Sequence, residues 1–164
     1  MKKIVLPIAV LAMLALIAAA FALDCVRYAS AARQCVALAD EEMQKHETRL
    51  LKLLTGNPRL TPEVQTSLSA LQGPEVPENR HGLYDGLVKS FRETMASKID
   101  PNSTLDRKFM DDIAGVINRR EIARKQYDDE SAAYRRFLLS ARGKIAQTFS
   151  PTARADAKPN ESAN

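Results

Sequence analysis

The chain contains no tryptophan, and aromatic residues make up only 5% of its 164 residues. A β-sandwich needs aromatic and β-branched residues in its strands, so this scarcity argues against one. The residue types that dominate instead are Ala, Leu, Arg, Lys, Glu and Asp, a composition that favours helices. We therefore expect an all-α protein with one modest domain, since single domains usually contain about 100 to 200 residues.

The sequence also has little excess charge of either sign. Its formal net charge is +4, and without Lys2 and Lys3 it carries 22 basic and 20 acidic residues. A nucleic-acid binder needs a broad basic surface, so nucleic acid is excluded as the principal ligand. The sequence has no residue combination typical of a catalytic or cofactor site. We therefore predict that the protein is not an enzyme and binds no cofactor.

One long run without charge lies at the N-terminus, from Ile4 to Leu23, directly after Lys2 and Lys3. About 20 residues in a helix span roughly 30 Å, the thickness of the hydrocarbon core of a bilayer. We therefore predict that residues 1–23 form a separate segment that attaches the chain to a membrane through residues 4–23.

A cleaved signal peptide is the alternative interpretation of this segment. Ala20-Phe21-Ala22 has the small-x-small form of a cleavage site, and cleavage there leaves a soluble periplasmic accessory protein. A bacterial lipoprotein is disfavoured, because Asp24 precedes Cys25 where a small residue is needed. The basic residues before the run favour a cytoplasmic N-terminus, with the rest of the chain on the extracytoplasmic side.

A heptad stripe follows the apolar run without interruption. Its members, spaced alternately four and three residues apart, are Cys25, Ala29, Ala32, Val36, Ala39, Met43, His46, Leu50 and Leu53. The spacing predicts one helix from the membrane to Leu54, ended by Gly56-Asn57-Pro58.

Two shorter helices are predicted next. Thr61-Pro62-Glu63 is a helix start that leads into a short apolar stripe ending before Gly73-Pro74. Residues 74–82 are predicted to form a loop, and a third amphipathic stretch runs from Tyr84 to Met95.

The last predicted helix is the longest stretch of regular pattern after the first. Ser103 or Thr104 is the expected cap, and the helix is predicted to continue to Phe149. Its stripe consists of Phe109, Ile113, Val116, Arg120, Ala123, Tyr127, Glu130, Tyr134, Phe137 and Ala141. After Glu130 the apolar face drifts by one position, which is typical of a helix that packs on several neighbours.

These elements predict an antiparallel up-and-down bundle of three to four helices over residues 24–149, two long and two short. The first helix is expected to be continuous with the N-terminal membrane helix. Residues 150–164 contain no large apolar side chain other than proline, and we predict that they form a disordered tail.

The segment from Asn118 to Tyr134 resembles the C-terminal signature of the LemA family. The signature is Asn-Arg, then Ala-Arg-x-x-Tyr, then a second Tyr seven residues later. The matching residues are Asn118, Arg119, Ala123, Arg124, Tyr127 and Tyr134. The resemblance implies a membrane-anchored helical bundle, and it implies little about activity, since the family has no established enzymatic role. The chain departs from the family in a shorter second helix and in Ala and Cys where the family has a Trp-containing segment.

The cysteines and His46 are the residues that could carry other chemistry. Cys25 and Cys35 are ten residues apart in one predicted helix, hence about 15 Å, which is too far for a mutual disulfide. They are interpreted as small apolar residues, with a bridge between two copies at Cys25 as the alternative. His46 is interpreted as a core histidine, and the alternative is a metal-handling bundle that uses His46 with Glu42.

Basic residues are frequent on the last helix. The structural interpretation is a solvated helix face with ion pairs four residues apart. The functional interpretation is a docking surface for an acidic protein or for anionic lipid headgroups. The predicted docking residues are Arg119, Arg120, Arg124, Lys125, Arg135 and Arg136. We therefore expect a membrane-anchored interaction or scaffolding protein that binds an unidentified protein partner or a second copy of itself.

Overall fold

The computed structural model describes residues 2–55, 60, 62–72, 80–95 and 103–157. These residues form helices and short turns and contain no strand, so the described part of the chain is all-α, as predicted. The helices are α1 (Lys2–Leu54), α2 (Pro62–Leu71), α3 (Arg80–Met95), α4 (Thr104–Leu139), α5 (Ala141–Phe149) and α6 (Pro151–Asp156). They form two compact units, Asp40–Lys125 and Met1–Ala39 with Gln126–Asn164.

The first helix is continuous from the apolar run to Leu54, as predicted. Its buried face follows the predicted stripe to Met43 and then shifts by one position. Glu47 and Leu54 are buried there, whereas His46 and Leu53 are only partly buried. The shift is expected for a straight helix, because 3.6 residues per turn drift away from a strict seven-residue repeat. The terminating Gly56-Asn57-Pro58 lies outside the described residues.

The unit Asp40–Lys125 has a core to which four helices contribute. Leu50 and Leu54 come from α1, Val64 and Leu68 from α2, Tyr84, Leu87 and Phe91 from α3, and Ile113, Val116 and Ile117 from α4. Phe91 meets Phe109 edge to face, with ring centroids 6.5 Å apart. Within this unit the predicted apolar stripes thus meet in one core.

The boundaries of α3 and α4 refine the sequence prediction. Residues 80–82, assigned to a loop, are already helical, because α3 begins at Arg80. Ser103, rather than Thr104, caps α4: its Oγ accepts a hydrogen bond from the Asp106 amide at 3.3 Å. The remainder of the predicted loop, residues 74–79, and the cap at Thr61 lie outside the described residues.

The predicted single helix over 105–149 was wrong at Ser140, where α4 ends and α5 begins. Ser140 is extended (φ −72°, ψ 164°), and its hydroxyl accepts a hydrogen bond from the Gly143 amide at 3.1 Å. A Cβ on Gly143 would lie 2.1 Å from the Phe137 carbonyl oxygen. The sharp change of direction therefore requires both a capping hydroxyl and a residue without a side chain.

The predicted disordered tail was wrong over residues 151–156, which form α6. Ser150 caps this short helix and Pro151 occupies its first turn. Ala153 is buried, and the Asp156 carboxylate accepts a hydrogen bond from the Tyr134 hydroxyl at 2.8 Å. These contacts with residues distant in sequence stabilise a helix in residues 151–156, although their polar composition favours disorder. Residues 158–164 lie outside the described part of the chain.

The unit formed by Met1–Ala39 and Gln126–Asn164 has a core of small side chains. Cys25 and Ala29 of α1 pack with Tyr134 and Leu138 of α4, and with Ala146 of α5 and Ala153 of α6. Small residues on α1 allow the neighbouring helices to approach closely. The apolar run before them is different, because large side chains between Val10 and Leu23, among them Leu11, Leu16 and Ile17, are exposed.

Within the described part of the chain, α1 is the helix that is long and apolar enough to cross a membrane. Almost none of its apolar window is buried against protein. A signal sequence near an N-terminus meets the same criteria of length and composition. The structure therefore supports a candidate transmembrane or signal-like helix at this end of the chain.

Candidate functional site

The most unusual side chain of the unit Asp40–Lys125 is a completely buried glutamate. Glu47 belongs to α1 and has no exposed surface, because the stripe shift places it between Met43 and Leu50. A buried carboxylate is costly unless cations and hydrogen bonds compensate for the lost water. Glu47 was not among the candidate residues of the sequence analysis, which placed His46 on the buried face instead.

Two arginines from other helices supply this compensation. The Arg120 Nε of α4 donates to Glu47 Oε1 at 3.2 Å, and the Arg80 Nε of α3 lies 2.9 Å from Oε2. His81 Nδ1 is 3.8 Å from Oε1. The Arg120 side chain is only 3% exposed, so both partners of the Glu47–Arg120 pair are buried. Charged side chains thus link α1, α3 and α4 in the middle of the unit.

Tyr84 provides an aromatic surface for both arginines. The guanidinium carbons of Arg80 and Arg120 lie 5.7 Å and 5.3 Å from its ring centroid, within range for cation–π attraction. Burial, and secondarily the negative charge of Glu47, raises the pKa of the Tyr84 hydroxyl above its ordinary value despite the opposing effect of the arginines. Tyr84 therefore stays protonated at neutral pH and contributes its ring to the site.

Asp85 continues the network toward the surface. Its Oδ1 accepts a hydrogen bond from Arg120 Nη1 at 2.9 Å, and its Oδ2 pairs with Arg124. Partial burial raises the pKa of Asp85, but the hydrogen bonds and charges of Arg120 and Arg124 outweigh it, and the pKa lies below its ordinary value. Asp85 is therefore ionised at neutral pH.

We call Glu47, Arg80, Tyr84, Asp85, Arg120 and Arg124 the buried charge network. Each of its two carboxylates lies against two arginines: Glu47 against Arg80 and Arg120, and Asp85 against Arg120 and Arg124. Beside it, a surface groove of about 420 Å³ is bordered by Asp85, Arg92, Glu121 and Arg124. Arg92 and Glu121 pair across it at 3.3 Å, so charges of both signs line this groove. The arrangement is suited to fixing helices in register.

The predicted docking residues divide into different environments. Arg119 and Lys125 are exposed on α4, in the unit Asp40–Lys125, and Arg135 and Arg136 are exposed in the other unit. Including Arg120 among the surface residues was wrong, because it is 2% exposed and bound to Glu47. The position of Arg120 in the predicted stripe already indicated that it is buried. The sequence did not indicate that Glu47 is the acid that pairs with it. Arg124 is partly exposed and pairs with Asp85.

The residues of the LemA-like segment have mainly structural contacts. Ala123 and Tyr134 are buried, Tyr127 is partly buried, and Asn118 and Arg119 are exposed. Burial, followed by the hydrogen bond to Asp156 and its charge, raises the pKa of the Tyr134 hydroxyl to about 12. Arg33 Nε binds the same Asp156 oxygen at 3.0 Å.

His46 and the cysteines show no assembled chemical site. His46 Nε2 lies 3.3 Å from Glu42 Oε1, the partner expected from the sequence. In the part of the chain that the structure describes, no three His, Cys, Asp or Glu side chains are grouped to hold a metal ion. Cys25 is buried in a core, as expected of a small apolar residue, whereas Cys35 is exposed.

Comparisons of the chain with protein-family models, with curated proteins and with solved structures find no match. The LemA resemblance therefore stays a prediction that depends on residues 118–134.

Proposed function

We infer that the protein is a membrane-anchored, LemA-like helical bundle with a non-enzymatic interaction or scaffolding role. The observation that carries this proposal is the continuity of α1. Its apolar run exposes large side chains between Val10 and Leu23 and passes without a break into residues that form protein cores. A cleaved signal peptide does not require a helix that continues into the folded domain, because cleavage separates the two. Membrane attachment through residues 4–23 follows from this continuity, and the basic residues before them favour a bundle on the extracytoplasmic side.

The buried charge network supports the non-enzymatic part of the proposal. Its arginines and carboxylates are occupied with one another, and Arg120 and Glu47 have no access to a substrate. The network joins α1, α3 and α4, and α2 packs on α3, an arrangement that we assign to an up-and-down bundle over residues 40–125. A rigid bundle of this kind presents a fixed helical surface.

The exposed basic residues Arg119 and Lys125 are the positions that we assign to a protein partner or to a second copy. They lie six residues apart on α4, outside the buried charge network. Because their long side chains have solvated heads, they can pair with acidic groups at little desolvation cost.

Photo-crosslinking in native membranes tests this assignment. A photoreactive amino acid replaces Arg119 or Lys125 in the full-length protein, and the control replaces Arg107, which is exposed on the same helix. We expect one discrete crosslinked species from positions 119 and 125 and none from position 107. Equal crosslinking from all three positions, or from none, contradicts a specific docking surface on this part of α4.

A further inference from the structure

The junction between α4 and α5 lies beside the end of the apolar run. We call residues 135–144 the α4–α5 corner. The rings of Tyr28 and Phe137 lie 4.8 Å apart, and the Arg142 guanidinium carbon lies 5.6 Å from the ring centroid of Phe21. A shallow groove lies between α1 and the α4–α5 corner, and it is bordered by Asp24, Tyr28, Arg136 and Ser140. The corner is thus level with the last turn of the segment that we assign to the membrane.

The corner exposes a large apolar side chain among cations. Leu139 is 79% exposed at its tip, and the side chains of Arg135, Arg136, Arg142 and Lys144 around it are exposed as well. The sequence contains no Asp or Glu from Ser131 to Ala155. An apolar tip with surrounding cations fits the boundary between lipid headgroups and acyl chains.

Arg142 contacts the end of the apolar run. Its guanidinium stacks on Phe21, which lies two residues before the end of the apolar run. A cation at that level, on a side chain that can extend toward water, lies where phosphate groups border the hydrocarbon. Charge complementarity then favours anionic phospholipids as the surface that covers the corner.

We propose that the α4–α5 corner docks on the surface of the membrane that α1 enters. Leu139 then lies at the boundary between headgroups and acyl chains, and the arginines and the lysine of the corner lie against anionic lipid headgroups. The proposal rests on the proposed membrane attachment of α1. It gives Arg135 and Arg136 a lipid ligand, separate from the protein partner assigned to Arg119 and Lys125. Docking of this kind would hold the end of α1 at a defined depth.

Because the chain has no tryptophan, single introduced tryptophans can report depth without background. Full-length Leu139→Trp, Leu16→Trp and Leu38→Trp variants are placed in phosphatidylcholine–phosphatidylglycerol vesicles with or without brominated acyl chains. Leu16 lies within the apolar run, and Leu38 is exposed on α1 about 22 Å beyond Leu23. We expect brominated lipid to reduce the fluorescence of the Leu139→Trp variant about two-fold, because interfacial side chains reach the acyl boundary. The Leu16→Trp variant should be quenched as strongly, and the Leu38→Trp variant should be unaffected.

The outcomes separate the docking proposal from the attachment on which it rests. Quenching of Leu16→Trp without quenching of Leu139→Trp overturns docking and leaves the anchor in place. Absence of quenching in both variants overturns the anchor as well. Equal quenching of Leu38→Trp and Leu139→Trp also overturns docking, because the corner would then lie no closer to the acyl chains than an exposed residue of α1 outside the apolar run.

Charge variants test the identity of the lipid. In the Leu139→Trp background, joint replacement of Arg135, Arg136 and Lys144 by glutamine should reduce the quenching at least about two-fold, as should vesicles of phosphatidylcholine alone. The matched control replaces Arg119 and Lys125 by glutamine and should leave the quenching unchanged. Quenching that is insensitive to the three replacements and to lipid charge overturns the assignment to anionic headgroups.

Discussion

Glu47 shows how one residue decides the interior of a helical unit. Its carboxylate is fully buried, and its free energy depends on Arg80 and Arg120, which belong to two other helices. Removing one member of a buried ion pair leaves an uncompensated charge, whereas removing both members leaves a cavity that apolar side chains can fill. We therefore expect the network to contribute more to the alignment of the helices than to net stability.

A double substitution of Glu47 and Arg120 measures how strongly the two charges depend on each other. We expect Glu47→Met to lower the free energy of unfolding of the unit Asp40–Lys125 by about 3 to 5 kcal/mol, because Arg120 stays buried without the Glu47 carboxylate. The double variant Glu47→Met, Arg120→Met should recover most of that loss. Hydrogen exchange of the α3 and α4 amides in the full-length protein provides the measurement.

The exposed pair between Arg92 and Glu121 is the matched control for this experiment. Glu121→Gln should change the free energy of unfolding by less than about 1 kcal/mol, since solvent-exposed ion pairs contribute little. A loss in the double variant that equals the sum of the losses in Glu47→Met and in Arg120→Met would contradict the proposed coupling of Glu47 with Arg120.

Tyr134 gives a pH dependence with a defined sign. Its folded pKa is about 12, above the value of about 10 in an unfolded chain. The resulting stabilisation is fully present below about pH 10 and is lost as the pH rises toward about pH 12. We expect thermal unfolding, followed by circular dichroism, to show this alkaline loss in the original chain and a weaker one in Tyr134→Phe.

At neutral pH, Tyr134→Phe should cost about 1 kcal/mol, because the hydrogen bond to Asp156 is lost. Tyr28→Phe is the control, since Tyr28 is exposed on α1. It should leave the alkaline loss intact. An identical alkaline transition in the Tyr134→Phe variant would show that another group causes it.

At the scale of elements, the break between α4 and α5 depends on a close backbone contact. Gly143 lies in the first turn of α5, and an added Cβ would be 2.1 Å from the Phe137 oxygen and 2.6 Å from the Leu138 Cα. These atoms belong to the backbone and cannot rotate away. The second capping serine, Ser150, then starts α6, which brings Asp156 to Tyr134 and Arg33.

We expect Gly143→Ala to destabilise the α4–α5 corner by about 1 to 3 kcal/mol, because the new methyl group overpacks a fixed contact. Gly115→Ala is the matched control, since Gly115 lies within α4 and has open space at its Cβ position. It should stabilise α4 by about 0.5 to 1 kcal/mol through the higher helix propensity of alanine. Hydrogen exchange of residues 139–146 and of residues 111–119 measures the two effects, and a neutral Gly143→Ala would contradict the close contact.

At the scale of the molecule, α1 is the element that joins the apolar run to both cores. Its first part exposes large apolar side chains, whereas its later part buries small ones such as Cys25 and Ala29 and then larger ones such as Met43 and Leu50. Removal of the leader would leave a helix that begins at Leu23, directly before the Cys25 and Ala29 contacts. The mature N-terminus therefore distinguishes an anchored protein from a released periplasmic one.

We expect the intact mass of the protein purified from membranes to include residues 4–23, and the protein to resist extraction by alkaline carbonate. Retention of an apolar helix of this length holds a chain in the bilayer. The control replaces Ala20 and Ala22 by leucine, which removes the small-x-small cleavage site and should leave the mass and the extraction unchanged apart from the substitutions. A mature chain that begins at Leu23 would support the periplasmic alternative instead.

The sequence by itself determined the helical class, the apolar N-terminal run and most of the buried faces. These properties are local: a repeat of three and four residues specifies a helix face whatever packs against it. The stripes from Cys25 to Met43 and from Ile113 to Tyr134 were therefore predicted correctly, and Arg120 was already placed on a buried face.

Only the tertiary structure decided which charges pair and where the last helix stops. Glu47 and Arg120 are 73 residues apart in sequence, and no local pattern indicates that a glutamate one position beside the predicted stripe lies opposite an arginine. The break at Ser140 and the helix after Ser150 depend on contacts with Phe137, Tyr134 and Arg33 that form only after folding. Local periodicity specifies a face, whereas partners distant in sequence decide what the face buries.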